Sequence, residues 1–119
     1  MKKILIIDDE RIITRALSRA LAHDRLEIET ASDGQEGLEK FKSFQPDLIL
    51  LDLLMPKVSG MEVLEKIRSQ GSKTPIILMT AYGDAQTQEK AKELGISAYL
   101  TKPFNNIEDI ITLVHETLR

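Results

Sequence analysis

The chain has 119 residues, of which 42% are apolar, with a formal net charge of −3 and a pI of about 5.4. That is one domain with enough apolar material for a core, which excludes a disordered chain. The mild acidity, with neither sign strongly clustered, excludes a general nucleic-acid or membrane-surface binder. The absence of cysteine excludes disulfides, thiol catalysis and cysteine-based zinc sites, and it fits a reducing compartment.

Met1-Lys2-Lys3 leads into only four apolar residues, 4–7, before Asp8 stops the run. A signal peptide needs a longer apolar stretch and a membrane span about 20 residues, so a cytoplasmic chain is expected. Run 4–7 has no alternation and predicts a strand buried on both faces. Asp8-Asp9 follow it. Segment 11–23 puts Ile13, Leu17, Ala20 and Leu21 on one stripe, the spacing of a helix packed on a sheet. His23 ends it, where a cationic form suits the helix dipole.

A weaker strand is predicted at 27–31, then a helix at 34–44 behind a cap at Asp33, with Leu38 and Phe41 inward. The apolar run 47–51 delivers Asp52. Segment 60–69 offers Val63, Leu64 and Ile67 to the core, and Gly71 follows as a C-terminal cap. Run 75–79 delivers Thr80. Segment 84–94 has only Ala85, Thr87, Ala91 and Leu94 to turn inward, so it is expected to be the loosest helix of the domain. Gly95 follows it. A weak strand, 97–100, runs into Lys102-Pro103. The last helix, 106–118, offers Ile107, Ile110, Ile111, Val114 and Leu118.

Five strand–helix units result, with expected connections of 2–6 residues and no linker, repeat or low-complexity segment. Right-handed crossovers make a doubly wound α/β fold the natural solution: one domain, 1–119, around a five-stranded parallel sheet of order 2-1-3-4-5. Its site lies at the carboxyl ends of the strands, where Asp8, Asp9, Asp52, Thr80 and Lys102 all arrive. Three carboxylates that close repel one another and take up protons unless a cation compensates. Oxygen ligands of this density suit Mg²⁺, with Lys102 neutralising part of the remainder.

At these residues the chain resembles a family. Asp8-Asp9 after the first strand, Asp52-Leu53-Leu54-Met55-Pro56 with Gly60 beyond, Thr80-Ala81 and Lys102-Pro103-Phe104 match, in order and spacing, the receiver domain of bacterial response regulators. The resemblance covers almost the entire chain. It implies a two-component phosphoacceptor rather than an enzyme: Asp52 takes a phosphoryl group from a sensor histidine kinase or phosphotransfer protein. Asp8, Asp9, Asp52 and the backbone carbonyl of Leu54 would hold Mg²⁺. Lys102 and Thr80 would contact phosphoryl oxygens, and Thr80 and Tyr99 would form the switch. The family tends to carry a cis bond before the proline, here Pro103. Leu54 and Tyr82 fall where the family tunes phosphoryl lifetime. Neither can orient a water, so slow hydrolysis is expected.

The resemblance also bears on partners. Kinase specificity is expected near Ile12, Ile13 and Arg15 and near Phe104 and Asn105. Ser97-Ala98 stand where winged-helix transcription factors carry an acidic pair. Thr80-Ala81-Tyr82-Gly83 looks more like receivers of AAA+ enhancer-binding regulators or stand-alone relay proteins. A phosphorylation-dependent dimer through the Tyr99 face is expected, probed by sedimentation. Three rivals are weaker. A haloacid-dehalogenase phosphatase needs a second Asp two residues after its nucleophile, where Glu10 stands. A flavodoxin-type module needs a phosphate loop that Asp8-Asp9-Glu10 would repel. A docking-only receiver would not need the full acceptor set. His115-Glu116 matches a kinase phosphohistidine motif only by chance.

Overall fold

The computed structural model describes residues 1–22, 25–81, 84–104 and 106–119. Among them, strands and helices alternate: β1 (Lys2–Ile7), α1 (Arg11–Leu21), β2 (Leu26–Ala31), α2 (Gly34–Phe44), β3 (Leu48–Asp52), α3 (Gly60–Ser69), β4 (Ile76–Thr80), α4 (Ala85–Leu94), β5 (Ala98–Thr101) and α5 (Ile107–Leu118). The strands form one parallel sheet in the order β2-β1-β3-β4-β5, as expected. His23, Tyr82, Gly83 and Asn105, each given a role above, lie outside the described residues.

The central strands are apolar because they are covered twice. Side chains alternate between the two sides of a sheet. Leu5, Ile7, Ile49, Leu51, Ile76 and Leu78 face α2, α3 and α4, where Val63, Leu64, Ile67 and Ala91 meet them. Ile4, Ile6, Leu48, Leu50, Ile77 and Met79 face α1 and α5, where Leu17, Leu21, Ile110 and Val114 meet them. All twelve strand residues are fully buried. Each contributes about 1.5–3 kcal/mol to holding the layers together.

The boundaries show what an apolar run does not encode. Runs 47–51, 75–79 and 97–100 become strands displaced one residue forward, since ladder hydrogen bonds extend to Asp52, Thr80 and Thr101 regardless of side-chain polarity. Asp33, Ser59, Asp84 and Asn106 accept backbone N–H bonds at helix N-termini, which moves Asp84 and Asn106 from the first helical position to the cap. On α1, Thr14 is buried beside Leu17 and Leu21, whereas Ile13 and Ala20 are half-buried. The connection after β3 has seven residues, 53–59, longer than expected. Gly71 and Gly95 take positive φ of 83° and 91° after α3 and α4, conformations that side chains disfavour.

Candidate functional site

Strand register builds the site. Ile7 pairs with Leu51, so Asp8, the next residue of the first chain segment, lies beside Asp52 at the end of β3. Thr80 closes β4 opposite Thr101, and Lys102 follows directly. The Lys102 N–H donates to the Thr80 carbonyl at 2.7 Å, and the Lys102–Pro103 bond is cis. Four polar residues from four neighbouring strands are thereby buried together: Asp8, Asp52, Thr80 and Lys102.

Lys102 is the hub. Its Nζ lies 2.6 Å from Asp8 Oδ2, 2.9 Å from Glu10 Oε1 and 3.6 Å from Asp52 Oδ1. Burial alone would lower its pKa. The hydrogen bonds to Asp8 and Glu10 and the charges of Asp8 and Asp52 outweigh that and raise it. Asp52 is pushed up to about 7, first by burial and then by the Asp8 charge, with the hydrogen bond its protonated form donates to Asp9 adding to the rise. The Lys102 charge and the Leu54 backbone N–H pull the other way. Burial likewise raises Asp8, against the lowering pull of Lys102.

Carboxylate oxygens of Asp8, Glu10 and Asp52 lie within 4.8 Å of one another. Such a set could hold a metal ion. The grouping differs in one member from the expected Asp8, Asp9 and Asp52. Asp9 is exposed and near enough to accept a hydrogen bond from protonated Asp52, while Glu10 joins the cluster through Lys102. Glu10 was the residue sequence reasoning missed. Its signal was a Glu at a helix N-cap, where Ser, Thr, Asp or Asn is usual.

The other expected residues are arranged as follows. Leu54, 52% exposed, stands at the mouth of the site. Thr80 continues the alternation of Ile76 and Leu78, so it points to the sheet face on which Tyr99 packs. The Tyr99 hydroxyl is buried and has no hydrogen-bond partner among the described residues. Its pKa is raised by burial and by the nearby Asp84 charge. Ile12 is 82% exposed on α1.

A doubly wound sheet with a carboxylate cluster and a lysine at its carboxyl edge is the arrangement that the resemblance to receiver domains implies. The family model for the response regulator receiver domain matches residues 4–115, and the chain belongs to that family. It is a receiver domain of a two-component response regulator, a signalling phosphoacceptor rather than an enzyme in the ordinary sense. It is 40% identical over 119 residues to the response regulator ArlR of Staphylococcus aureus, matching all of this chain and 53% of that protein. The chain thus spans about half the length of the curated relatives it matches. Among solved structures, the response regulator TrrA of Thermotoga maritima, in complex with Mg²⁺ and BeF, is 37% identical with a TM-score of 0.86, covering 99% of this chain and 100% of that one. The chemotaxis protein CheY4 of Vibrio cholerae is 32% identical with a TM-score of 0.90, covering 99% of both.

Proposed function

We propose that Asp52 accepts a phosphoryl group from a phosphohistidine of a sensor kinase or phosphotransfer protein. The observation that carries this is the Asp52 carboxylate at a strand end, 3.6 Å from a buried ammonium and beside a second buried carboxylate. An Asp52 oxygen forms the new P–O bond while the P–N bond breaks. The imidazole nitrogen keeps the bonding electrons and takes up a proton. A carboxylate suffices as nucleophile because phosphoryl transfer depends on positioning and charge neutralisation. Lys102 and Thr80 stabilise phosphoryl oxygens from the two sides of the strand end. Asp8, Asp52 and an oxygen from Asp9 or the Leu54 carbonyl would hold Mg²⁺, which would supply positive charge to offset the incoming phosphoryl group. The TrrA complex supports that choice of ion.

The signal leaves through Thr80 and Tyr99. A phosphoryl group adds charge and acceptors at the Thr80 end of β4. Thr80 turns toward it, and the space it leaves lets the Tyr99 ring change position, in a two-state shift. The Tyr99 hydroxyl, without a partner among the described residues, supports this reading, because none of them anchors the ring by a hydrogen bond. The output acts in the cytoplasm, in transcriptional control. Among the described residues no helix is long and apolar enough to cross a membrane. Relatives of which 119 residues are 53% leave about 105 residues for output, room for one small domain. That favours a compact output domain over the AAA+ ATPase read from 80–83.

Intact mass after incubation with Mg²⁺ and acetyl phosphate tests the reading. The parent should gain one phosphate and Asp52→Asn none. No gain in the parent, or equal gain in both, would overturn it.

A further inference from the structure

Glu10 sits where a helix N-cap should be, yet it does not cap. Its side chain bonds no α1 amide; the backbone carbonyl alone starts the helix. The carboxylate turns instead to Lys102, 2.9 Å away. An ammonium has three donors. Asp8 takes one at 2.6 Å and Glu10 a second, while Asp52 at 3.6 Å is too far for a good hydrogen bond. In the resting state the lysine is therefore bonded to two carboxylates other than the acceptor.

The two partners differ in how easily they let go. The Asp8 side chain is fully buried, so releasing Lys102 would strand a charge in the interior. The Glu10 side chain is 58% exposed, so water replaces Lys102 at little cost. We infer that Glu10 is an internal stand-in for the phosphoryl group: its carboxylate occupies a Lys102 donor in the resting state and swings into solvent when a phosphoryl oxygen takes that place. Glu10 is thus a positioning residue that acts through Lys102 and slows phosphorylation of the resting receiver. This rests on Asp52 being the phosphoacceptor.

The test compares the parent with Glu10→Gln, an isostere that keeps the shape and removes the charge. No cap bond is lost, so the fold should hold, and Glu10→Ala serves as a second variant. With acetyl phosphate and Mg²⁺, the phosphorylation rate should rise about threefold to fivefold, the size of one part-exposed ion pair. The gain should shrink in high salt, which a merely structural effect would not do. In metal-free protein the Lys102 ammonium nitrogen resonance should shift on the substitution. A slower variant with weaker Mg²⁺ binding by calorimetry would overturn the inference and make Glu10 a metal ligand. An unchanged rate with an unshifted Lys102 resonance would also overturn it. Parent and variant both failing to gain phosphate would instead bring down the acceptor reading and the inference with it.

Discussion

The position of Asp52 is set from behind by a missing side chain. A Cβ on Gly60 would lie 2.2 Å from the Asp52 carbonyl oxygen and 2.6 Å from Leu53 Cα. These are backbone atoms of β3 and its exit, and they cannot swing aside. The close approach lets the Gly60 N–H donate to the Leu53 carbonyl at 2.8 Å, locking the start of α3 onto the loop that leaves Asp52. Gly60→Ala should lose about 1–3 kcal/mol of stability by overpacking. It should also slow phosphorylation well beyond that change, because displacing a reacting group by about 1 Å costs on the order of 100-fold. Urea unfolding and the acetyl phosphate rate check both; a variant with parental rate would show that the contact does not position Asp52. Asp8, Asp52 and Thr80 were legible in the sequence because each is a polar residue ending an apolar run, and Lys102 because it stands just past the last run, before Pro103. Glu10 was not, because its role depends on which way an exposed side chain turns.

Among the elements, α4 stands apart. Ala91 is its one buried residue, against three or four on α1, α2 and α3. Its sparse apolar content was legible in the sequence. What steadies its C-terminal end was not. Arg68, at the end of α3, donates from Nε to the Leu94 and Gly95 carbonyls, from Nη1 to Ser72 and from Nη2 to Thr74 and Gly95, at 2.7–3.1 Å. Backbone carbonyls carry no residue code, so no motif announces such a clamp. One planar guanidinium reaches four acceptors in a way that an ammonium does not. Arg68→Lys should therefore cost about 2 kcal/mol, the scale of hydrogen bonds to a charged group. Amide exchange in α4 should be the fastest of the five helices in the parent, and faster still at residues 91–97 in the variant. Uniform protection across the helices, or a variant with parental exchange there, would contradict this account.

Over the whole molecule, the buried carboxylates set how stability depends on pH. Asp52 goes from an ordinary value of 3.8 to about 7 on folding, and Asp8 also rises. Between those limits the folded state binds more protons than the unfolded one, so stability falls as pH climbs from about 4 to about 7. Lys102 shifts upward from 10.5, so its contribution stays constant across that window and does not oppose the fall. Asp84 is lowered by its cap bonds to α4, so its stabilisation is lost only as pH drops below about 4. A divalent cation held by the cluster would reverse the trend, because it would bind the folded site alone and compete with those protons. Calorimetry in EDTA should give a lower Tm at pH 8 than at pH 5.5. Added Mg²⁺ should raise Tm little at pH 5.5 and clearly at pH 8. In Asp52→Asn the decline should flatten, since the main titrating group is gone. The same burial and charge crowding that weaken the metal-free fold above neutrality are what would favour a cation at this site. A metal-free protein equally stable at both pH values would show that these carboxylates ionise in the fold without penalty, and the tie between stability and function would fail.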